Sequence, residues 1–386
     1  MAGATLLATV SKPSLGGSQR CASVDSHPIG FAVPLSRQTG TFFPDGENRM
    51  SFATQSEKGI FIHAWWRSGS TYVWSKLRRN QALCCYYEPL HEKIADITVK
   101  TIMESPEPER SLFLRHPIQN ANYFAEYQEF LGSNTRFSDD LSYNRFLLAT
   151  NQEDPKLLRY LGTLIDAAFL SNRRPILCFC RSQMRVAWMR KHFGGIHIAQ
   201  IRNPIDQWAS FNVEPYFPRK TLMIALKLRN QHPLSFVHIE NFDRFAKALE
   251  KRPSLPVENI VDFFLTKDDI FAVFLIIWVA SALQAISYSD YILDIDLLSK
   301  DTDYRFSTTH WFETVGCPTE FADCNSPSAG GSIAPEIAEA FEKAVDAIRS
   351  NASQLVITDP SVVRKQFLSL SPVAQRLLDA AVVALD

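Results

Sequence analysis

Glycine is scarce in this sequence, at 15 of 386 residues, and neither sign of charge predominates. Forty Lys and Arg against 41 Asp and Glu leave a formal net charge of −1. The chain therefore has no overall basic field for nucleic acid or an anionic membrane, and a polyanion must be held by a local site. The seven cysteines, at 21, 84, 85, 178, 180, 317 and 324, form no C-x-x-C pair and no zinc spacing. Cys84, Cys85, Cys178 and Cys180 fall within apolar runs, where cysteine acts as a small hydrophobe. This usage points to a reducing, cytoplasmic compartment. The one N-x-S sequon, at Asn351, is too common a pattern to argue secretion. Long apolar runs are also missing. The most hydrophobic stretch, 270–283, has 14 residues, short for a bilayer, and is expected to be a buried core helix, with no membrane span. The first residues lack a basic segment before their short, Thr-broken apolar stretch and are not read as a signal peptide.

What is present is a large aromatic and aliphatic inventory, including 27 Phe, enough for a sizeable core. Residues 1–58 are rich in Ser, Gly, Pro and Thr without a sustained period and read as an N-terminal extension. From residue 59 short apolar runs alternate with helical patterns. Runs at 59–65, 82–89, 174–181, 196–204 and 291–296 read as strands. Helical patterns follow at 71–80, over most of 119–172, at 184–195, from 205, at 270–288 and at 335–349. The alternation predicts an α/β domain over 59–360, with a parallel sheet flanked by helices on both faces, and a helical tail at 361–386. Such sheets bind ligands at the carboxyl ends of their strands.

The first strand ends in Arg67-Ser68-Gly69-Ser70-Thr71 and runs into a helix. Gly69 permits a tight turn, and the amides of residues 69–71 would stand at a helix N-terminus, where free N–H groups and the dipole favour a phosphate-like anion. Ser70 and Thr71 add hydroxyls, and Arg67 adds a guanidinium fork. Aligned on Gly69 with G-x-x-x-x-G-K-[ST], the lysine position is Ser70 and the first glycine is Ala64. The missing lysine counts against a nucleotide-dependent kinase or NTPase, the alternative enzyme class. A non-catalytic nucleotide-binding protein is the alternative outside enzymes.

The segment WRSGSTYVW resembles the first loop of sulfotransferases that use 3′-phosphoadenosine 5′-phosphosulfate (PAPS), K/R-S-G-T/S-T-W/Y. The resemblance implies a P-loop-like sulfotransferase fold, with Arg67, Ser68, Gly69, Ser70 and Thr71 holding the 5′-phosphosulfate and Tyr72 stacking on adenine. The family's second motif, a strand-ending Arg with a Ser eight residues later, is similar to IAQIRNPIDQWASF. That implies Arg202 and Ser210 as ligands of the 3′-phosphate. Together the motifs extend the likeness over roughly 59–300.

Sulfuryl transfer needs a base and a stabiliser for the leaving oxygen, and cationic side chains can supply the second without a metal. YYEPLHE resembles the E-P-L segment of carbohydrate sulfotransferases, which implies Glu88 as the base, with His91 and Glu92 in reserve. A hydroxyl acceptor is expected, and this likeness leans toward a sugar. The later-strand Lys and His of small-molecule sulfotransferases are absent. Arg181 stands at that strand end and is expected to touch the transferring group. His63, Asp294 and Asp296 read as structural, and residues 323–332 as a loop suited to closing over the cofactor. The acceptor's identity and the oligomeric state are not legible.

Overall fold

The computed structural model describes residues 59–103, 122–131, 137–229, 239–251, 260–328, 333–350 and 370–382. Chain contacts separate 1–51 from 52–386, and the described residues all belong to the second unit. The expected extension over 1–58 lies outside them, as do parts of 104–136, residues 329–332, half of the tail and the Asn351 sequon.

Strands β1 (Ile60–His63), β2 (Leu83–Tyr87), β3 (Arg174–Phe179), β4 (Ile196–Ile201) and β5 (Tyr291–Asp294) form one parallel sheet in the order β2-β3-β1-β4-β5. Ile60 of β1 registers with Ile176 of β3 and Ile196 of β4. The strands are apolar almost throughout because both faces are covered. Alternate residues serve different cores. Ile60, Ile62, Cys85, Ile176, Cys178 and Ile198 pack on one side, and Phe61, Cys84, Tyr86, Leu177 and Phe179 on the other. Gly195 opens β4 where a Cβ would stand 2.4 Å from the carbonyl of Gly59, so only glycine admits that approach.

Eleven helices matter here: α1 (Ser70–Leu77), α2 (Pro155–Leu170), α3 (Val186–Phe193), α4 (Pro204–Phe211), α5 (Tyr216–Arg229), α6 (Glu240–Lys251), α7 (Lys267–Tyr288), α8 (Ile295–Lys300), α9 (Thr302–Thr314), α10 (Pro335–Ser350) and α11 (Pro372–Val382). Val73, Trp74 and Leu77 of α1 join Leu298 and Phe312 on one face of the sheet, while α2 and α3 cover the other. The apolar run extends into a 22-residue helix, α7, closed at its start by a Thr266–Asp269 capping box. By length and composition α7 could cross a membrane, but 83% of its most apolar window is buried by the rest of the chain. α10 and α11 belong to the core that surrounds it.

Two expectations are corrected. The fifth strand stops at Asp294, whose carboxylate accepts from the amides of Asp296 and Leu297 and so starts α8 two residues early. α-Helix covers less than half of the described part of 119–172. Residues 137–154 form turns and one short 3-10 helix, Asp139–Leu141, and buried Arg185 holds them by donating to the carbonyls of Leu141 at 2.7 Å and Ser142 at 2.6 Å. Helix α2 begins only after Asp154, its cap.

Candidate active site

A cavity of about 420 Å³ opens at the carboxyl ends of the strands. Arg67, Gly69, Ser70, Thr71 and Tyr72 reach it from the loop after β1, Glu88 from beyond β2, and Arg202 and Ser210 from β4 and α4. Every residue singled out as a ligand or catalyst lines it except Ser68 and Arg181. The Ser68 hydroxyl turns back to donate to the Trp65 carbonyl at 2.6 Å.

The loop is shaped by two left-handed residues, Arg67 at φ 62° and Gly69 at φ 85°, the N-cap of α1. A Cβ on Gly69 would lie 3.1 Å from Ile295 Cγ2, so both the turn and the packing against α8 call for glycine. Ser70 Oγ stands 3.1 Å from Cys180 Sγ, and Thr71 Oγ1 shares a 2.6 Å hydrogen bond with the Tyr87 hydroxyl. Tyr72 donates to Asp323 Oδ1 at 2.8 Å, and the Lys76 ammonium, paired with Asp323, lies 5.3 Å from the Tyr72 ring centre.

The loop after β1 and the β4–α4 segment meet. Arg67 Nε donates to Ser210 Oγ at 2.8 Å, and Arg202 Nη1 donates to the Arg67 carbonyl at 2.8 Å. Arg202 also donates to the Pro327 carbonyl, and Asp296 Oδ1 stands 4.0 Å from its Nε. Asp296 accepts the Asn203 amide at 2.6 Å, so it ties β4's end to α8 and is more than a packed strand residue. Asp206, buried in the first turn of α4, lines the cavity and accepts from Ser328 Oγ at 3.1 Å. Residues 324–328, the described part of the late loop beyond Asp323, form a wall of the same cavity. Sequence reasoning missed Asp206, Trp66 and Phe217 as lining residues. The only signal for Asp206 was its place four residues before Ser210, on the same face of α4, just after Arg202.

Glu88 sits at φ 44°, just past the β2 ladder, and pairs with Arg181. Arg181 is 1% exposed, is not among the residues that line the cavity, and pairs with the Glu88 carboxylate, which does line it. Its second nitrogen donates to Glu92 at 2.9 Å, and the rings of Trp66 and Tyr143 flank it at 5.0 and 5.3 Å. Burial alone would raise the Glu92 carboxyl, but Arg181, His91 and the Tyr216 hydroxyl bring it down to about 2. Glu92 is therefore held as a carboxylate by partners outside the cavity. The His91 imidazole is lowered to about 4 by burial and by Arg181, and its Nδ1 accepts the Lys93 amide. Neither reserve residue lines the cavity.

Beneath the loop lies a buried histidine pair. Ser182 Oγ is 2.7 Å from His63 Nδ1, His63 Nε2 is 2.9 Å from His197 Nδ1, and His197 Nε2 is 2.9 Å from the Gly194 carbonyl. Because the carbonyl only accepts, a single direction of donation satisfies the chain with both rings neutral. Burial, with His197 nearby, holds His63 well below its usual range, and burial brings His197 down to about 4. In the unfolded chain both titrate near 6.5. Between pH 6.5 and about 4 the unfolded state therefore binds more protons through these groups, and their contribution to stability falls as pH falls. For His197 alone that is roughly 3 kcal/mol across the window. Asp294, pushed up to about 7 by burial, acts with the opposite sign. The measurement is thus a difference. Urea midpoints of wild type and His63→Gln/His197→Gln at pH 7 and pH 4.5 should show the double variant losing less stability on acidification.

Among the described residues no group of three or more His, Cys, Asp or Glu is arranged to hold a metal ion. No family model, no curated protein and no solved structure matches the chain. The protein is of the α/β class, with a five-stranded parallel sheet and a cavity at its carboxyl edge that Arg67 and Arg202 line together with Glu88 and Asp206.

Proposed function

We propose that this chain is a PAPS-dependent sulfotransferase with a P-loop-like sheet, acting in the cytoplasm on a hydroxyl acceptor of the carbohydrate type. One observation carries the proposal. The motif residues Arg67, Arg202 and Ser210 come from segments far apart in sequence, yet they form one hydrogen-bonded group in a cavity that Glu88 also lines. A nucleotide with phosphate groups at both its 5′ and 3′ ends matches a site with two guanidinium groups and a helix start.

In the proposed reaction the acceptor oxygen attacks sulfur in line with the bridging S–O bond. That bond breaks, its electron pair stays on the 5′-phosphate of adenosine 3′,5′-bisphosphate, and the acceptor proton passes to Glu88. Arg67 and the amides at the start of α1 stabilise the charge on the leaving oxygen, as positioned donors do in phosphoryl transfer. Arg181 orients Glu88 by holding its carboxylate.

Thermal unfolding with PAPS, adenosine 3′,5′-bisphosphate and ATP with magnesium tests the proposal. A ligand at one hundred times its dissociation constant adds about 2.7 kcal/mol. The two 3′-phosphorylated nucleotides should raise the midpoint and ATP should not. Stabilisation by ATP alone would favour a kinase or NTPase. Bisphosphate binding without transfer to any hydroxyl acceptor would favour a non-catalytic binder.

A further inference from the structure

Three consecutive carbonyls of the loop after β1 each accept a hydrogen bond from a different side chain of the β4–α4 segment. Gln207 Nε2 donates to the Trp66 carbonyl at 2.6 Å, Arg202 Nη1 to Arg67 at 2.8 Å and Gln200 Nε2 to Ser68 at 2.8 Å. Gln200 and Gln207 are fully buried. The amide of Gln207 has its orientation set from the other end, because Trp278 Nε1 of α7 donates to its Oε1 at 3.1 Å. Turning that amide over would break both bonds.

A peptide unit directs its N–H opposite to its carbonyl. Drawing the carbonyls of residues 66–68 toward β4 and α4 therefore turns the N–H groups of Arg67 and Gly69 the other way, while the Ser68 N–H closes a turn onto the Trp65 carbonyl at 3.3 Å. The segment also carries a cost, since Arg67 holds a left-handed conformation that a side chain disfavours. Such a conformation persists where surrounding contacts over-determine it, and three donors on three successive carbonyls do so.

We propose that Gln200 and Gln207, with Arg202, clamp the loop so that its amides are preorganised for a diphosphate-like anion. Gln200 and Gln207 are then positioning residues that act through the loop without touching the ligand, and Trp278 extends the clamp to α7. The proposal rests on the anion-binding part of the function proposed above and is independent of the acceptor.

The test uses the full chain with Gln200→Met, Gln207→Met and Trp278→Phe. The Met variants keep much of the volume and remove the donor. The Trp278 variant leaves Gln207 in place and releases its orientation. Each is titrated calorimetrically with inorganic pyrophosphate, which probes the loop, and with adenosine 3′-phosphate, which probes Arg202 and Ser210. The Met variants should weaken pyrophosphate about tenfold, the loss of one good hydrogen bond. Trp278→Phe should weaken it several-fold, and adenosine 3′-phosphate should change less than about twofold. A purely structural role would lower the unfolding midpoint while leaving pyrophosphate affinity intact, or would weaken both probes in parallel. Either result overturns the proposal. If the Met variants do not fold, Trp278→Phe decides by the same criterion. If wild type binds pyrophosphate but no adenosine nucleotide, the donor assignment fails, and a selective loss of pyrophosphate in the variants still upholds the clamp. If wild type binds no pyrophosphate, the clamp is overturned.

Discussion

Glu88→Gln is expected to lower the sulfuryl transfer proposed for this chain by roughly 10²–10⁴-fold, the usual cost of losing a general base. The substitution keeps the side chain's shape and one hydrogen-bond acceptor while removing its charge. Glu88 lines the cavity, and Arg181 reaches it from the buried side. After the change Arg181 still has Glu92 at 2.9 Å, so the guanidinium is not left without a counter-charge, and the fold should tolerate the variant. Affinity for adenosine 3′,5′-bisphosphate should remain near the wild-type value, because the carboxylate does not grip an anion. The measurement is release of the bisphosphate from PAPS in the presence of hydroxyl acceptor, set beside a calorimetric titration of the product. Retention of more than about a tenth of the wild-type turnover, well short of a general-base loss, would remove Glu88 from the chemistry and leave it as a structural partner of Arg181. His91 would not inherit the role easily, since its Nδ1 caps a turn outside the cavity.

Arg202→Ala should weaken adenosine 3′,5′-bisphosphate at least tenfold and shrink the preference for 3′-phosphorylated nucleotides. Loss of a charge-assisted contact is worth about 1.5–3 kcal/mol. Arg202 is 6% exposed and spans the cavity wall, with the Arg67 and Pro327 carbonyls on its nitrogens and Asp296 nearby. Removing it subtracts a charge that lines the cavity, withdraws one donor from the Arg67 carbonyl and leaves Asp296 without that neighbour. Adenosine 5′-phosphosulfate, which has no 3′-phosphate, is the comparison ligand. In wild type it should bind far more weakly than PAPS, and in the variant the two should converge. Equal use of both donors by wild type would mean that Arg202 and Ser210 do not read a 3′-phosphate.

The strand positions, the apolar core helix and the tight loop before α1 were all legible because each depends on local spacing. Buried parallel strands show as apolar runs, Gly69 marks a left-handed turn, and Asn203-Pro204 announces a helix start whose cap the Asn203 side chain supplies. Helices α5, α6 and α9 were not read from the sequence. α9 buries few residues along its length, so its apolar stripe is faint, and α5 has no N-cap signal to separate it from α4. Residues 137–154 looked helical because turn residues carrying Tyr, Phe and Leu also bury apolar groups. Their course is set by Arg185, more than thirty positions away in the chain.

The candidate site divides in the same way. By itself the sequence determined which residue types stand at the ends of β1, β2, β3 and β4, since strand, turn and helix start are short-range patterns. Only the tertiary structure decided their partners. It set Arg67 on Ser210, paired Arg181 with Glu88, and brought Asp206 and Asp296 beside Arg202. It also aimed Gln200 and Gln207 at the loop carbonyls. The physical reason is that a side chain's partners depend on the order in which parallel strands lie side by side. The order β2-β3-β1-β4-β5 makes neighbours of segments more than one hundred residues apart. No periodicity within any one of those segments encodes that adjacency.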